Sequence, residues 1–490
     1  MIKKAFRWLT LFSVLLIILL LVNAYRVAPW PTGVAPVSLI PLPDSAVRHM
    51  SEAIQIPTVS VSDSSAIDTV AFNRWGQFLQ RAYPLVHRQL SRTVIRQFSY
   101  VYEWKGQRPG LAPIILMAHY DVVPIEATAA SKWTLPPFSG AITDSCVWGR
   151  GAIDDKNGVI AILETAEALL RDGFTPPRTI FFCFGHDEEI RGPSASAVVE
   201  YLKRRNIHPE MVLDEGGAIS EEKSRELGRP LPAIGIAEKG HVSFELSVQK
   251  EGGHSSLPAK ETAIDILNTA LYRLKNSPPP SRLTPPVREF LRRVASSSDN
   301  LGHRLAAGNL WLFGGAVTGI LSAQPEGYAM THTTIVPTVL DAGVKDNIIP
   351  STARAILNCR VLPGETIKST EDYIRETIND SRVVIKAVSR FSSEPSSVTS
   401  TGSPAFQRLT DAVSRTVTAV LPAPYLDIGG TDSRWYRQIS DGVVNFFPIT
   451  DAKGAHGVDE RLSITDLRRG IHLMRILITE SGREFGKASQ

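Results

Sequence analysis

Hydrophobic and polar positions follow three different patterns along this chain. The first is an uncharged apolar run, 8–22, preceded by Lys3, Lys4 and Arg7. It is slightly short of the ~20 residues of a spanning helix and also resembles a secretory h-region, so residues 1–24 are expected to be a signal-anchor or signal peptide. A run this long and Leu-rich, with only Val22, Asn23 and Ala24 as a cleavage site, favours retention as an anchor. The cations before the helix then place the bulk of the chain on the non-cytoplasmic side, periplasmic or extracellular/lumenal, and secreted if the segment is cut. Prolines 29, 31, 36, 41 and 43 predict a stiff spacer over 25–44.

The second pattern begins near residue 45, where unbroken apolar runs at 114–118 and 179–184 bracket a helical periodicity at 158–170. Buried strands alternating with helices predict an α/β fold with a mostly parallel central sheet. Near Lys239 the texture changes to strict alternation over 241–248, as in a strand with one wet face. Helix 262–275, strands 333–340 and 353–362, helix 369–378 and strand 383–389 complete an order close to β-α-β-β-α-β, a ferredoxin-like α+β unit. The Pro- and Ser-rich stretch 277–286 and a helical region to about 321 interrupt that unit. Helix 404–420, strand 443–447 and helix 463–481 return to the earlier style, so the expected organisation is a first domain over 45–239 and 392–490 with a second, 240–391, inserted in it.

Composition narrows the class. Hydrophobic residues at 43% and charged ones at 21% exclude a wholly disordered chain and a many-helix membrane protein, and 490 residues allow about two to four domains. A formal charge of +4 carries no nucleic-acid footprint. Cys146, Cys183 and Cys359 are too few and too scattered for a disulfide framework.

The candidate chemistry sits at predicted strand ends. His119 follows a buried strand with Asp121 two residues on, the spacing by which a carboxylate can hold the far nitrogen of a metal-binding imidazole. Asp154 and Asp155 stand together in a glycine-rich turn opening a helix, and two adjacent anions there call for a cation. Asp187, Glu188 and Glu189 follow the second buried strand, Asp214 and Glu215 end a third apolar run, and His456 lies in a late loop. Imidazole and carboxylate donors without cysteine suit zinc, or cobalt or manganese, and a central aspartate suggests two divalent ions sharing one carboxylate. No G-x-S-x-G is present and no cysteine lies in an electropositive motif, so serine and cysteine nucleophiles find no support.

His119-Tyr-Asp121-Val-Val-Pro124, Gly149-Arg-Gly-Ala-Ile-Asp154-Asp155-Lys, Asp187-Glu188-Glu189, Gly252-Gly-His254-Ser-Ser-Leu-Pro258 and Gly430-Thr-Asp432-Ser-Arg434 together resemble the aminoacylase/carboxypeptidase family of dinuclear zinc peptidases and amidohydrolases. The likeness is greatest to its carboxypeptidase S and N-fatty-acyl-amino-acid hydrolase/synthase branch and runs from about residue 45 to 480. It implies a zinc-peptidase catalytic domain with an inserted lid and dimerisation domain, and a possible homodimer. It also implies that Asp154 bridges two metals, His119 and Asp214 complete one ion, and Glu189 and His456 complete the other. On the residues alone either Asp214 or Glu215 fits that step; family spacing selects Asp214. Glu188 is implied as general base, Asp121 as the partner of His119, and His254 as an oxyanion stabiliser, in some members supplied by a partner subunit. Asn347, Arg360 and backbone near Gly430 are implied to grip a substrate carboxylate, a task that suits the fork of an arginine. His186 and Asp459 depart from the usual pattern.

The expected activity is hydrolysis of an amide bond beside a free carboxylate in a small molecule, an N-acyl amino acid or a dipeptide. A catalytically silent binding protein on the same fold is the contrasting expectation, disfavoured by the spare Glu188. An aminopeptidase is a third, disfavoured by Arg360 and Asn347.

Overall fold

The structure, a computed structural model, describes residues 2–27, 37–61, 67–143, 145–388, 391–452 and 454–485. Residues 28–36 of the expected proline spacer lie outside the described residues. The N-terminal helix Ile2–Arg26 is long and apolar enough to cross a membrane.

The first strands are Ser91–Ile95 (β1), Ser99–Trp104 (β2), Ile114–His119 (β3), Cys146–Trp148 (β4), Ile180–Gly185 (β5), Met211–Asp214 (β6) and Ala233–Glu238 (β7). Gly240–Gln249 (β8), Gly253–His254 (β9), Thr334–Ala342 (β10), Ile348–Ile349 (β11), Thr352–Val361 (β12) and Val384–Ala387 (β13) follow. Ala423–Asp427 (β14), Val443–Asn445 (β15) and Arg461–Ser463 (β16) close the chain.

An eight-stranded sheet runs in the order β1-β2-β5-β3-β6-β15-β7-β14. The expectation of a mostly parallel sheet is corrected here: the sheet is mixed. β3 is parallel to β5 and β6, β15 to β6 and β14 to β7, whereas β1–β2, β2–β5 and β15–β7 are antiparallel. The reason is local at one end, where Arg96 and Gln97 turn the chain with positive φ between β1 and β2. A link that short can only join antiparallel neighbours.

Along β3 the side chains divide by parity between two cores. Ile114, Leu116 and Ala118 join the core that includes the helices Lys156–Arg171 and Ile464–Thr479, while Ile115 and Met117 face the helix Ser194–Arg204. Burial on both faces explains why the run is apolar throughout.

The strands between Gly240 and Ala387 form a separate four-stranded antiparallel sheet, β10-β12-β8-β13. Val242, Phe244, Leu246 and Val248 alternate inward from β8 against the helices Ala263–Asn276 and Ile367–Ile378, each begun by a capping box. The polar interruption becomes four helices, Pro285–Ser296, Leu301–Gly308, Leu310–Leu321 and Pro325–Thr331. They reach ten residues beyond the expected end, because Pro325 starts one further helix. Val287 and Met330 pack with Leu426 of β14. Cys146, Cys183 and Cys359 are free thiols.

Candidate metal centre and carboxylate pocket

Because β3, β5 and β6 are parallel neighbours, their C-terminal ends bring His119, the 187–189 loop and residues 214–215 to one edge of the sheet. His119 is buried, with Nε2 2.8 Å from Asp154 Oδ1 and 3.1 Å from Glu215 Oε1. Its Nδ1 lies 3.3 Å from Asp121 Oδ1. Asp121 also accepts the backbone N–H groups of Glu188 and Glu189, each at 3.1 Å, so one buried carboxylate orients the imidazole and fixes the neighbouring loop. The other oxygen of Asp154, Oδ2, is 3.0 Å from His456 Nε2, which is itself 3.0 Å from Glu189 Oε2. Asp154 therefore faces two imidazoles from opposite ends of the chain.

The Asp154 turn is held from below by Glu460. Its Oε1 accepts Ile153 N at 2.8 Å and Asp154 N at 3.2 Å, and its Oε2 pairs with the buried Arg150 at 2.5 Å. Asp459 accepts from the backbone and hydroxyl of Thr134. His186 is buried against Ser99 Oγ at 2.7 Å, between the rings of Phe72 and Phe98. Both departures from the usual pattern are thus accommodated by local partners.

The structure separates Asp214 from Glu215. Asp214 Oδ2 turns away and accepts Ser433 N at 2.9 Å, and it is Glu215 that meets His119. Glu188 lines a small cavity with His119, Asp214 and Asp432. Burial pushes its carboxyl well above the ordinary range, opposed by His119 and reinforced by Asp432, Glu215 and Glu189. Burial likewise raises Asp214 to about 6 and Asp432 to about 8. Asp154 is held low, its own burial outweighed by the hydrogen bonds to His119 and His456, and His456 is lifted to about 10 by Asp154 and Glu189.

These groups fit divalent cations. Asp154, Glu188, Glu189 and Glu215 crowd two imidazoles, with buried Asp155, Asp214 and Asp432 behind them, a concentration of anions that low dielectric disfavours without a positive charge. Glu189 Oε1 is buried with no hydrogen-bond partner. In His119–Asp154–Glu189 and in His119–Asp155–Glu215 the potential ligand atoms all lie within 4.8 Å of one another.

Beside this cluster a cavity of about 200 Å³ is lined by Arg191, Lys239, His241, Arg360, Gly430 and Arg434, among others. Arg360 and Gly430, expected at a substrate carboxylate, are therefore together. Among the described residues the guanidinium groups of Arg191 and Arg360 make no hydrogen bond or ion pair, and mutual repulsion with Arg434 adds to burial in lowering both. His254 and Asn347 lie elsewhere: both are exposed on the β9–β11 ribbon, where Ser255 N donates to Asn347 O at 3.2 Å, and neither lines the metal cluster or this cavity.

The family model of Peptidase family M20/M25/M40 matches residues 115–480, about three quarters of the chain and all of the cluster just described. The chain belongs to the M20 peptidase family. It is 39% identical over 433 residues to the probable carboxypeptidase S-like 2 of Dictyostelium discoideum, covering 86% of this chain and 82% of the relative. It is also 34% identical over 428 residues to the N-fatty-acyl-amino acid synthase/hydrolase PM20D1 of Mus musculus, covering 86% and 84%. Among solved structures, the M20 family metallo-carboxypeptidase Sso-CP2 of Sulfolobus solfataricus shares the fold with a TM-score of 0.66 at 17% identity, covering 89% of this chain and 99% of that one. This M20 chain is accordingly a hydrolytic enzyme of a metallopeptidase family. Sequence alone does not single out Arg191 and Arg434 of the M20 site. The signal was present, since Arg191 stands two residues after Glu189 and Arg434 ends the string beginning at Gly430.

Proposed function

We propose that this enzyme hydrolyses an amide bond adjacent to a free carboxylate, in N-acyl amino acids or short peptides, with two divalent ions, zinc before cobalt or manganese. The observation that carries the reading is Asp154, whose two oxygens meet imidazoles delivered by β3 and by the 454–460 loop. His119 and Glu215 would hold one ion, Glu189 and His456 the other, with Asp154 placed to serve both. This replaces Asp214 by Glu215 as the ligand; Asp214, bonded to Ser433 N, supports the 430–434 segment instead. When bound, such ions polarise water and the scissile carbonyl.

The protein's own groups do the rest. Glu188, with a carboxyl whose affinity for protons is raised by burial, takes a proton from the attacking water and returns it to the leaving nitrogen. Asp121 fixes the His119 ring and, through the backbone of Glu188, the position of that base. Arg360, with Arg191 beside it, offers guanidinium groups to the substrate carboxylate. An aliphatic acyl substrate is consistent with the name of the mouse relative.

The 240–391 segment serves as a lid and pairing domain. The exposed outer strand β10 and the position of His254 and Asn347 away from the cluster support a homodimer in which this ribbon reaches the partner copy's site. The N-terminal helix anchors the chain with the site on the non-cytoplasmic side.

Glu188→Gln tests the core of the reading. It should keep the metal content of the wild type and lose turnover on N-acyl amino acids and dipeptides by about three orders of magnitude or more. Normal hydrolysis by that variant rejects the base; wild-type protein that binds metal but cleaves no acyl amino acid, dipeptide or amino-acid amide is a binding protein instead.

A further inference from the structure

The helix Leu310–Leu321 is inside out. Its exposed positions are Trp311, Leu312, Gly315, Ala316, Gly319 and Ile320, spaced so that they form one continuous face. Trp311 is 61% exposed, Leu312 47% and Ile320 74%. The hydroxyl side chain of the helix, Thr318, is buried along with Leu310 and bonded to the carbonyls of Gly314 and Gly315. No charged residue occurs between Leu310 and Leu321. The neighbouring helix Pro285–Ser296 shows the ordinary arrangement, burying Val287 and Phe290 and exposing Arg288 and Arg292.

A second, independent observation says what covers that face. Asn309, the residue that begins the helix, donates to Leu20 O at 3.0 Å and accepts from Asn23 Nδ2 at 2.9 Å, both on the N-terminal helix. Leu20 stands two residues before Val22, the last residue of the apolar run, about 3 Å of helix rise inside its end. A bilayer surrounding Ile2–Arg26 therefore surrounds the start of Leu310–Leu321 as well. The outward face that water would penalise thus begins at the boundary between acyl chains and headgroups, where a helix with one apolar face is stable.

We propose that Leu310–Leu321 is a membrane-embedded foot, which seats the folded body on the lipid surface through Trp311, Leu312 and Ile320. The proposal rests on the reading of the N-terminal helix as an anchor for its placement, and the experiment separates the two. It assigns the helical interruption of the second sheet's domain a lipid bilayer as its partner. The consequence is that the folded body, and the site with it, is held at a fixed height from the membrane, where molecules with a buried acyl tail and a polar amino-acid head are concentrated.

The test uses the full chain with Cys146→Ser, which removes the half-buried thiol, and single cysteines at Trp311→Cys, Ile320→Cys, Leu15→Cys and Val344→Cys. Each is labelled with bimane and reconstituted into vesicles of phosphatidylcholine and phosphatidylglycerol with or without doxyl-lipid quencher. Labels at 311 and 320 are expected to be quenched roughly threefold more than at Val344, an exposed residue between β10 and β11. That result supports the foot whether or not Leu15 is quenched. Quenching at Leu15 without quenching at 311 and 320 overturns the foot and leaves the anchor standing. Absence at all three overturns both. Emission at 311 that shifts only with protein concentration, without lipid quenching, means that a second copy covers the face and likewise overturns the proposal.

Discussion

Asp214 and Glu215 differ by one position and by everything that matters to a cation. Their adjacency was legible in the sequence; which of them faces His119 was not, because the answer depends on the twist of β6 as it leaves the sheet and on the backbone N–H of Ser433, some 200 residues away. Glu215→Ala is expected to lose one ion per chain by metal analysis and most activity, while Asp214→Asn keeps both ions; the reverse pattern restores Asp214 as the ligand. Lys239 gives a pH prediction. Its ammonium is buried, donating to Ala329 O and His332 O, and burial with Arg360 nearby lowers it to about 7. Unfolded, the amine keeps its proton to about pH 10.4. Between those values the unfolded chain binds more protons, so stability rises with pH. Lys156 acts in the same sense, lowered to about 7 by burial. The urea midpoint of the wild type, taken relative to that of Lys239→Met, should therefore climb from neutral pH to about 9.5; equal slopes reject the assignment.

At the level of elements, apolar runs with clear boundaries were readable: β3, β5 and the helix Lys156–Arg171 lie within a few residues of their predicted positions. The hairpin β1–β2 was not, since Thr93, Val94 and Tyr100 read equally well as part of a polar connection and only pairing with β5 organises them. Nor could sequence show that β10 is outermost, exposing Val336, Val339 and Leu340. An open apolar edge invites another strand. Leu340→Lys should shift a dimer to monomer in sedimentation velocity, and should cut activity if His254 and Asn347 act on the partner's site. Wild-type protein that sediments as a monomer at micromolar concentration removes the dimer from the reading.

For the whole molecule, the centre gathers more negative charge than its imidazoles balance. Removing cations with a chelator should lower the Tm by roughly 5–10 °C, the linkage expected of ligands present at several hundred times their Kd. The loss should deepen from pH 5 to pH 8. Glu188, Asp214 and Asp432 have raised affinities for protons in the folded chain, so without cations the native state holds more protons than the unfolded one and is destabilised as they leave. A chelated protein whose Tm is unchanged at pH 8 contradicts the charge argument.

β15 occupies the interior of the large sheet, between β6 and β7. A nascent chain that has emerged only as far as β7 therefore lacks the strand that belongs between its own last two, and His456 lies eleven residues beyond β15. Synthesis of this protein passes through a long interval in which the sheet is split and the site has one imidazole. A truncation anywhere before residue 443 leaves β6 and β7 without the strand that joins them in the sheet.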